Sequence, residues 1–433
     1  MSIVAEAIEI YEKYFLQKYD VIRDVMDHYL HDGKKIAIWG AGLRGRAFLN
    51  AFDADNRRIS CVFDWDEKKH GKILEFGHRI VDFREYEVDA IIIVNGKLEQ
   101  EVSGMLKSID KDVQIINVDN IILGNLSAKD VLFAGKLDIK RVRNVKVAAI
   151  VILYEPDVDV IENMKSYVQD LDRLYVYDNS TEINTEIERA ICNFTNAEYY
   201  FAGENQGLCV PYNQYYRKAI EEGMDWFITL DQDSQAEKNM LCAMKDFANS
   251  DLCDEKIGII APVICDLNDE YIQQDMDYRY VSEVIQSGSM HRLDMMKIIG
   301  DYDENLFIDQ IDYEYCARCR AGGYKVVKLN QAILFHDCQD KDTQHKIVDG
   351  KMIYFNKYSL LRYYYRYRNT LYCYDKYREK DPIYALDCQN FLRKTEMSIE
   401  LEDDAEEEKN ILQKAKYDFE HHIMGKRRDL HMI

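Results

Sequence analysis

Short apolar runs alternate with helically spaced stretches along most of this chain. In the first third, the apolar runs lie at 35–39, 59–63, 90–94 and 113–118. Apolar runs of this length, bounded by polar residues, are typical of buried strands, and regular β/α alternation is typical of a parallel sheet. We therefore predict a Rossmann-like α/β domain over residues 1–130.

The same alternation resumes in the middle of the chain. The run Val147–Tyr154 is almost continuously apolar, which predicts a strand buried on both faces. Further strands are predicted at 174–177 and 197–201, and the intervening patterns at 158–169 and 182–195 predict helices. This segment is therefore a second α/β domain with strands in parallel order.

Changes in pattern suggest where the domains end. The polar and basic stretch 131–146 is typical of a connector, and the second α/β domain is assigned to 147–340. The remainder, 341–433, has helical spacing with many tyrosines followed by acidic residues, which predicts a helical C-terminal region.

Composition narrows the classes of function. A formal net charge of −22 argues against nucleic acid as a partner, because binding to a phosphate backbone needs a basic surface. No apolar run approaches the roughly 18 residues of a membrane-spanning helix, and no secretory signal is visible at the N-terminus. We expect a cytoplasmic protein, with the inner face of the membrane as an alternative location.

A glycine-rich turn follows the first predicted strand. Gly40, Gly42 and Gly45 match the G-x-G-x-x-G pattern between a strand and a helix, and Asp64 ends the next strand. This arrangement is typical of dinucleotide binding, so an NAD(P)-dependent oxidoreductase is one hypothesis. The alternative is that the glycines permit close packing in a structural or assembly domain.

Polar clusters follow several strands of the second domain. Glu155-Pro156, Asp178-Asn179 and Asn205-Gln206-Gly207 come after three successive strands, and Asp231-Gln232-Asp233 follows the apolar run 226–228. Open α/β sheets bind ligands at the carboxyl ends of their parallel strands. Paired carboxylates there predict Mg²⁺ or Mn²⁺ holding a diphosphate.

An ordered set of motifs carries a family resemblance from Val147 to about Asp337. These motifs are Tyr154-Glu155-Pro156, Tyr177-Asp178-Asn179-Ser180, Glu204-Asn205-Gln206-Gly207 with Asn213, Asp231-Gln232-Asp233-Ser234, Ser287-Gly288-Ser289, and Phe307-Ile308-Asp309-Gln310-Ile311-Asp312-Tyr313-Glu314 with Arg318 and His336. The segment resembles bacterial inverting family-2 glycosyltransferases of the GT-A fold, closest to rhamnosyltransferases. The resemblance implies a GT-A nucleotide-sugar-binding α/β domain after the Rossmann-like domain.

The resemblance also implies roles for individual residues. It implies metal binding by Asp231, Asp233 and His336, although a core histidine is the alternative for His336. Asp178 would accept from the imide N–H of the base, with a local turn as the alternative. The implied nucleotide-sugar contacts are Tyr154, Pro156, Asp178, Asn205, Gly207, Asn213, Asp231, Gln232, Ser287 and Gly288.

Inverting transfer requires a carboxylate that takes the proton of the acceptor hydroxyl. The resemblance assigns this role to Asp312, with Asp309 and Glu314 as rivals. Glu314 is then expected to bind or orient the acceptor, and Arg318 to stabilise a carboxylate. The structural alternative is a helix held by ion pairs.

Tyrosine and arginine alternate between Lys351 and Arg378. This segment is expected to pack on the catalytic domain, to help form the acceptor or diphosphate site, or to lie on an anionic membrane. Our leading hypothesis is transfer of L-rhamnose from dTDP-rhamnose to a hydroxyl of a cell-surface polysaccharide or glycolipid. A UDP-sugar donor, an oxidoreductase and an inactive scaffold are the alternatives.

Overall fold

The computed structural model describes residues 3–109, 111, 113–132, 141–266, 278–336, 343–348, 351–401 and 405–427. They form two compact units. The first unit holds the described residues up to 132 together with 278–282, and the second holds the remainder. The domain limits at 130, 146 and 340 stay predictions.

The strands and helices follow the chain in a mixed order. The strands are β1 Ile36–Trp39, β2 Ile59–Phe63, β3 Ile80–Val81, β4 Ala90–Ile93, β5 Gln114–Asn117, β6 Val147–Leu153, β7 Arg173–Asp178, β8 Ala197–Phe201, β9 Trp226–Asp231, β10 Gln235–Ala236, β11 Ile257–Cys265, β12 Tyr278–Val281, β13 Met290–Arg292, β14 Lys325–Phe335, β15 Thr343–Val348 and β16 Lys351–Asn356. The helices are α1 Ile3–Leu16, α2 Tyr19–His31, α3 Leu43–Asp53, α4 Glu99–Ser108, α5 Val118–Gly124, α6 Ala128–Leu132, α7 Val160–Lys165, α8 Thr185–Ile191, α9 Cys209–Glu221, α10 Met240–Asn249, α11 Leu293–Ile299, α12 Ile311–Ala321, α13 Leu360–Tyr377, α14 Pro382–Leu401 and α15 Glu406–Glu420.

The first unit contains a parallel sheet in the order β3-β2-β1-β4-β5. Strands β1 and β4 are buried along their whole length, as expected for a sheet covered on both faces. Trp39 and Phe63 form part of the core on one face of this sheet. The Rossmann-like architecture predicted from the alternation of strands and helices is confirmed.

One strand of the first unit comes from far along the chain. In β12, the backbone N–H of Tyr280 donates to Asn120 Oδ1 at 2.8 Å. A Cβ on Gly124 would lie 2.2 Å from the Tyr280 ring, so glycine permits this close approach. The hydrophobic pattern did not reveal this excursion, because the segment is distant in sequence from the elements it contacts.

The main path of the sheet in the second unit has the order β10-β14-β11-β13-β9-β6-β7-β8. Strands β9, β6, β7 and β8 are mutually parallel, whereas β13 is antiparallel to both neighbours. The register pairs Leu153 with Asp178 and Ile152 with Asp231. The polar residues that follow these strands therefore lie at the same edge of the sheet.

Helices α13, α14 and α15 pack together at the C-terminal end of the second unit. The tyrosines Tyr363, Tyr364, Tyr365 and Tyr367 of α13 are buried in their shared core. The helical C-terminal region predicted from the sequence is confirmed from Leu360 onward. The prediction was wrong for its first residues, because β15 and β16 pair as an antiparallel hairpin. These four rings are packed inside the protein, so they do not form an exposed aromatic surface.

In the part of the chain that the structure describes, none of the helices combines the length and the apolar character that crossing a membrane requires.

Candidate active site

Three predicted metal ligands meet at one edge of the second sheet. Asp231 ends β9, Asp233 lies in the turn that follows, and His336 comes directly after β14. His336 Nε2 lies 3.2 Å from Asp231 Oδ2 and 3.6 Å from Asp233 Oδ1. One ligand atom from each residue lies within 4.8 Å of the other two.

Strand pairing explains how His336 reaches the two carboxylates. The short strand β10 runs antiparallel to β14, and Gln235 pairs with Phe335. This register places the residues before β10 beside the residue after β14. All three side chains remain partly exposed, so they can hold a divalent cation while other coordination positions take phosphate oxygens.

Buried hydroxyls support the turn that carries the carboxylates. The N–H of Asp231 donates to Ser234 Oγ at 3.1 Å, and Ser234 Oγ lies 2.5 Å from Ser287 Oγ. Gly288 has φ 76°, and a Cβ there would lie 2.8 Å from Pro262 Cγ. Ser287 and Gly288 thus pack against the turn and support it, and their direct contact with a nucleotide sugar stays a prediction.

The loop after β6 is bonded to the same turn. The N–H of Tyr154 donates to Gln232 Oε1 at 2.9 Å, and the Tyr154 side chain is exposed. Glu155 has φ 46°, and its N–H donates to Ser180 Oγ at 2.8 Å. Pro156 follows in this loop and is half-buried. The structure therefore brings Tyr154 and Gln232 together and leaves the Tyr154 ring open to a ligand.

Asp178 is fully buried at the end of β7. One carboxylate oxygen accepts from the N–H of Ser180 at 2.9 Å, and the other accepts from the hydroxyl of Tyr199 at 2.6 Å. The first of these bonds closes the local turn that was the alternative interpretation. Recognition of a nucleobase by Asp178 stays a prediction, because both oxygens already have protein partners.

The turn Asn205–Gly207 approaches a second loop closely. Asn205 Oδ1 accepts from the N–H of Gly207 at 2.9 Å, and Gly207 has φ 77°. A Cβ on Gly207 would lie 2.5 Å from the carbonyl oxygen of Phe307, which also accepts from the N–H of Leu208 at 3.0 Å. Glycine is thus required here by backbone conformation and by space.

Asn213 is buried in α9 and holds the chain around residue 302. Its Oδ1 accepts from the N–H of Tyr302 at 2.8 Å, and its Nδ2 donates to the carbonyl of Tyr302 and to Glu304 Oε1, both at 3.0 Å. The side-chain amide is therefore engaged within the protein. Contact between Asn213 and a nucleotide sugar stays a prediction.

The loop before α12 contains three non-glycine residues in the left-handed region. Phe307, Asp309 and Gln310 have φ values of 60°, 62° and 65°. This conformation costs about 1–2 kcal/mol for an ordinary L-residue, so surrounding contacts must maintain it. Such strained backbone is concentrated at functional sites, which supports a role for this loop.

Asp312 lies in the first turn of α12, directly after this loop. Burial raises the pKa of Asp312 to about 7, and the negative charges of Asp309 and Glu283 add to the increase. The N–H of Tyr313 donates to Asp312 Oδ1 at 2.9 Å and partly offsets it. A carboxylate with a pKa near neutrality is suited to act as a general base.

Asp309, the alternative candidate for the base, has different partners from Asp312. Burial raises its pKa, and Arg366 and Arg362 oppose that shift. Its Oδ2 has no hydrogen-bond partner among the residues that the structure describes. Asp309 therefore contributes negative charge near Asp312 when it is ionised.

Glu314 and Arg318 form part of a buried ion-paired network. Glu314 accepts from Lys376 Nζ at 2.9 Å, from the Tyr377 hydroxyl at 2.7 Å and from Arg318 Nε at 3.2 Å. Arg318 also donates to the carbonyl of Asp301. These contacts join α12 to α13, whereas an acceptor-binding role for Glu314 stays a prediction.

Tyr212 of α9 links the metal cluster to Asp312 electrostatically. Burial raises the pKa of this tyrosine, and the charges of Asp231 and Asp312 raise it further. The charges of both carboxylates thus reach the same buried ring, and their membership of one site stays a prediction. The hydrophobic pattern did not single out Tyr212, because an aromatic residue on a helix usually indicates core packing.

The glycine-rich turn of the first unit is tightly packed. A Cβ on Gly45 would lie 1.9 Å from the carbonyl oxygen of Gly40. Asp64 accepts from the N–H of Ala41 at 2.8 Å and from Lys69 Nζ at 2.9 Å. Gly40, Gly42 and Gly45 thus form the predicted turn, but the Asp64 carboxylate already has partners, and ligand binding there stays a prediction.

The second unit has a mixed α/β sheet with an acidic turn after β9, and the α/β fold class predicted from the sequence is confirmed. The chain is similar to RfbF of Shigella flexneri, a dTDP-rhamnosyl transferase. The two are 26% identical over 252 residues, which cover 52% of this chain and 79% of RfbF. The predicted resemblance to bacterial glycosyltransferases close to the rhamnosyltransferases is thereby confirmed.

Other comparisons concern parts of the chain. Residues 32–122 match the family model described as C2185-like, N-terminal. The crystal structure of S. aureus TarS is 17% identical with a TM-score of 0.41, covering 63% of this chain and 48% of TarS. GalNAc-T7 with UDP, GalNAc and Mn²⁺ is 10% identical with a TM-score of 0.43, covering 65% and 57%. The chain thus spans about half the length of these two solved structures.

Proposed function

We propose that this protein is an inverting, metal-dependent glycosyltransferase. It transfers a sugar from a nucleoside diphosphate to a hydroxyl group in a single displacement. The observation that carries the proposal is the cluster of Asp231, Asp233 and His336, in which one ligand atom from each residue lies within 4.8 Å of the other two. Asp312, a half-buried carboxyl with a pKa of about 7, is the base in this proposal. The cluster is suited to hold the leaving diphosphate through a cation, and Asp312 is suited to take the proton of the acceptor hydroxyl.

The similarity to RfbF supports dTDP-L-rhamnose as the donor. The acceptor in this proposal is a hydroxyl of a bacterial cell-surface polysaccharide or of a lipid-linked glycan. A UDP-sugar donor is the second candidate, because the acidic cluster recognises the diphosphate that all such donors share.

The residues divide the chemistry between them. Asp231, Asp233 and His336 fit Mg²⁺ or Mn²⁺, since two carboxylates dominate the set and all three side chains are accessible. When bound there, the cation neutralises the charge that develops on the leaving diphosphate. Asp312 accepts the proton of the acceptor hydroxyl as its oxygen attacks the sugar.

Nucleotide release from a panel of dTDP- and UDP-sugars tests this proposal. The protein is assayed with Mn²⁺ or Mg²⁺ and with EDTA, beside Asp312→Asn and the control Asp294→Asn, which changes an exposed acid of α11. We expect selective, EDTA-sensitive release from dTDP-rhamnose that falls in Asp312→Asn and persists in the control. Selective release from a UDP-sugar would assign that sugar as the donor instead. Wild-type release by Asp312→Asn would refute the assignment of the base.

An NAD(P)-dependent oxidoreductase is the hypothesis from a different class. The partners of Asp64 argue against it, because Ala41 and Lys69 already occupy the carboxylate that would bind a ribose. Binding of NAD(P) to the purified protein, without turnover of any nucleotide sugar, would favour this alternative.

A further inference from the structure

A single buried side chain holds the strained loop before α12. Asn369 of α13 is fully buried, and its Nδ2 donates to the carbonyl oxygens of Leu306 at 2.7 Å, Ile308 at 2.6 Å and Asp309 at 3.2 Å. These residues surround the left-handed Phe307 and include the left-handed Asp309. The amide therefore binds the backbone where it departs from ordinary conformations.

The orientation of this amide is fixed by its neighbour. Arg368 donates to Asn369 Oδ1 from Nη2 at 3.0 Å and from Nε at 3.1 Å. A guanidinium group donates only, so the oxygen of Asn369 must face Arg368 and the nitrogen must face the loop. Arg368 is itself held by the carbonyls of Gly425 at 2.9 Å and Asn305 at 3.2 Å.

Thr370, the next residue of α13, also contacts the loop. Gln310 Nε2 donates to Thr370 Oγ1 at 3.0 Å, and Gln310 Oε1 accepts from the hydroxyl of Tyr384 at 3.0 Å. Gln310 is the last left-handed residue and directly precedes α12. Consecutive side chains of α13 thus hold the loop up to the helix that carries Asp312.

We propose that Asn369 is a positioning residue for the catalytic base. Its amide keeps the 306–310 loop in the left-handed conformation that sets the start of α12, and hence the placement of Asp312 relative to the donor. This inference rests on the proposed function. Because Leu208, beside the predicted donor loop, bonds to Phe307, a change in the 306–310 loop affects geometry on both sides of the reaction.

Two substitutions at position 369 test this role. Asn369→Ala removes the amide, and Asn369→Asp keeps the size and the oxygen that faces Arg368 while it removes the donating nitrogen. The matched control is Tyr367→Phe on the same helix, which loses the hydrogen bond to Glu396 of α14 and touches none of the loop carbonyls. Steady-state turnover is measured well below the melting temperature of every variant.

We expect both variants at position 369 to lower kcat by about a hundredfold, since displacement of a reacting group by about 1 Å has effects of this size. The KM for the donor should change less than kcat, because the metal cluster is untouched and the loop meets the predicted donor side only through residues beside Phe307. Tyr367→Phe should retain kcat even where its melting temperature falls. Wild-type kcat in both Asn369 variants, with Asp312→Asn inactive, would overturn the inference and leave the proposed function intact.

Hydrogen–deuterium exchange provides a readout that does not depend on turnover. Backbone amides of 306–313 should exchange faster in Asn369→Ala than in the wild type or in Tyr367→Phe. Unchanged exchange would refute the inference even if no donor is turned over. If the wild type releases no nucleotide from any donor, the proposed function fails, and exchange alone decides whether Asn369 holds the loop.

Discussion

Replacement of Asp312 by asparagine should remove activity and stabilise the fold at the same time. The pKa of this carboxyl is about 7 in the folded protein, against 3.8 for an ordinary aspartate. Ionisation is therefore harder in the folded state than in the unfolded state. Stability is lost as the pH rises from about 4 through about 7, and the loss is complete above that range.

The size of the effect follows from the shift in pKa. A difference of about three pKa units corresponds to about 4 kcal/mol, since each unit is worth about 1.4 kcal/mol. The Asp312 side chain is partly accessible to solvent, which screens its charge, so we expect Asp312→Asn to raise the free energy of unfolding by about 2 kcal/mol. Asparagine has nearly the same shape and carries no charge, so Asp312→Asn should approach this gain at pH 8 and show little of it at pH 4.5.

Urea unfolding of the wild type and Asp312→Asn at pH 4.5 and pH 8 measures the effect. The control is Asp294→Asn, which changes an exposed acid on α11. Nucleotide release at pH 8 is measured on the same preparations. A variant that is inactive but no more stabilised at pH 8 than at pH 4.5 would show that the folded protein does not disfavour the charge, and our account of the base would be wrong.

Three further changes test other parts of the structure. Asp233→Asn should weaken Mn²⁺ binding by about tenfold or more, because one of two carboxylates is lost. The affinity is measured by calorimetry with the nucleoside diphosphate present, and an unchanged affinity would place the cation elsewhere. Burial lowers the pKa of His291 to about 3, so the free energy of unfolding should fall as the pH drops below about 6.5, by about 2 kcal/mol at pH 5. The free energy of unfolding of His291→Phe, measured in urea, should depend less on pH. An equal dependence on pH would contradict a neutral buried imidazole. Gly207→Ala should lower both stability, by about 2 kcal/mol or more, and nucleotide release, because its Cβ would meet the Phe307 carbonyl. Gly203→Ala has a similar positive φ without that contact, so equal losses in the two variants would disprove the steric argument.

Local pattern was sufficient to predict the strands that end at Asp178 and Asp231. The run at 147–154 is observed as β6, and the runs before Asp178 and Asp231 are observed as β7 and β9. A buried parallel strand must be apolar on both faces, so its hydrophobic pattern is continuous and visible without knowledge of its partners. Because parallel strands end at the same edge, the sequence also indicated that these acidic residues lie together.

Pairings between distant segments were not visible in the pattern. His336 reaches the two aspartates only because β10 pairs with β14, and a two-residue strand carries almost no signal of its own. The contacts of Asn369 with the 306–310 loop likewise join segments about 60 residues apart. The tyrosines around Asn369 suggested packing, acceptor binding or a membrane surface equally well, and burial alone shows that they belong to a core.

The sequence by itself determined the alternation of strands and helices, the acidic turn after β9 and the resemblance to glycosyltransferases, since each of these is encoded in neighbouring residues. Only the tertiary structure decided which carboxylates remain available. Asp178 and Glu314 have their oxygens bonded within the protein, whereas Asp231 and Asp233 are accessible and Asp312 is half-buried with a raised pKa. The physical reason is that the chemistry of a carboxylate depends on its solvation and its partners, and residues distant in sequence supply both.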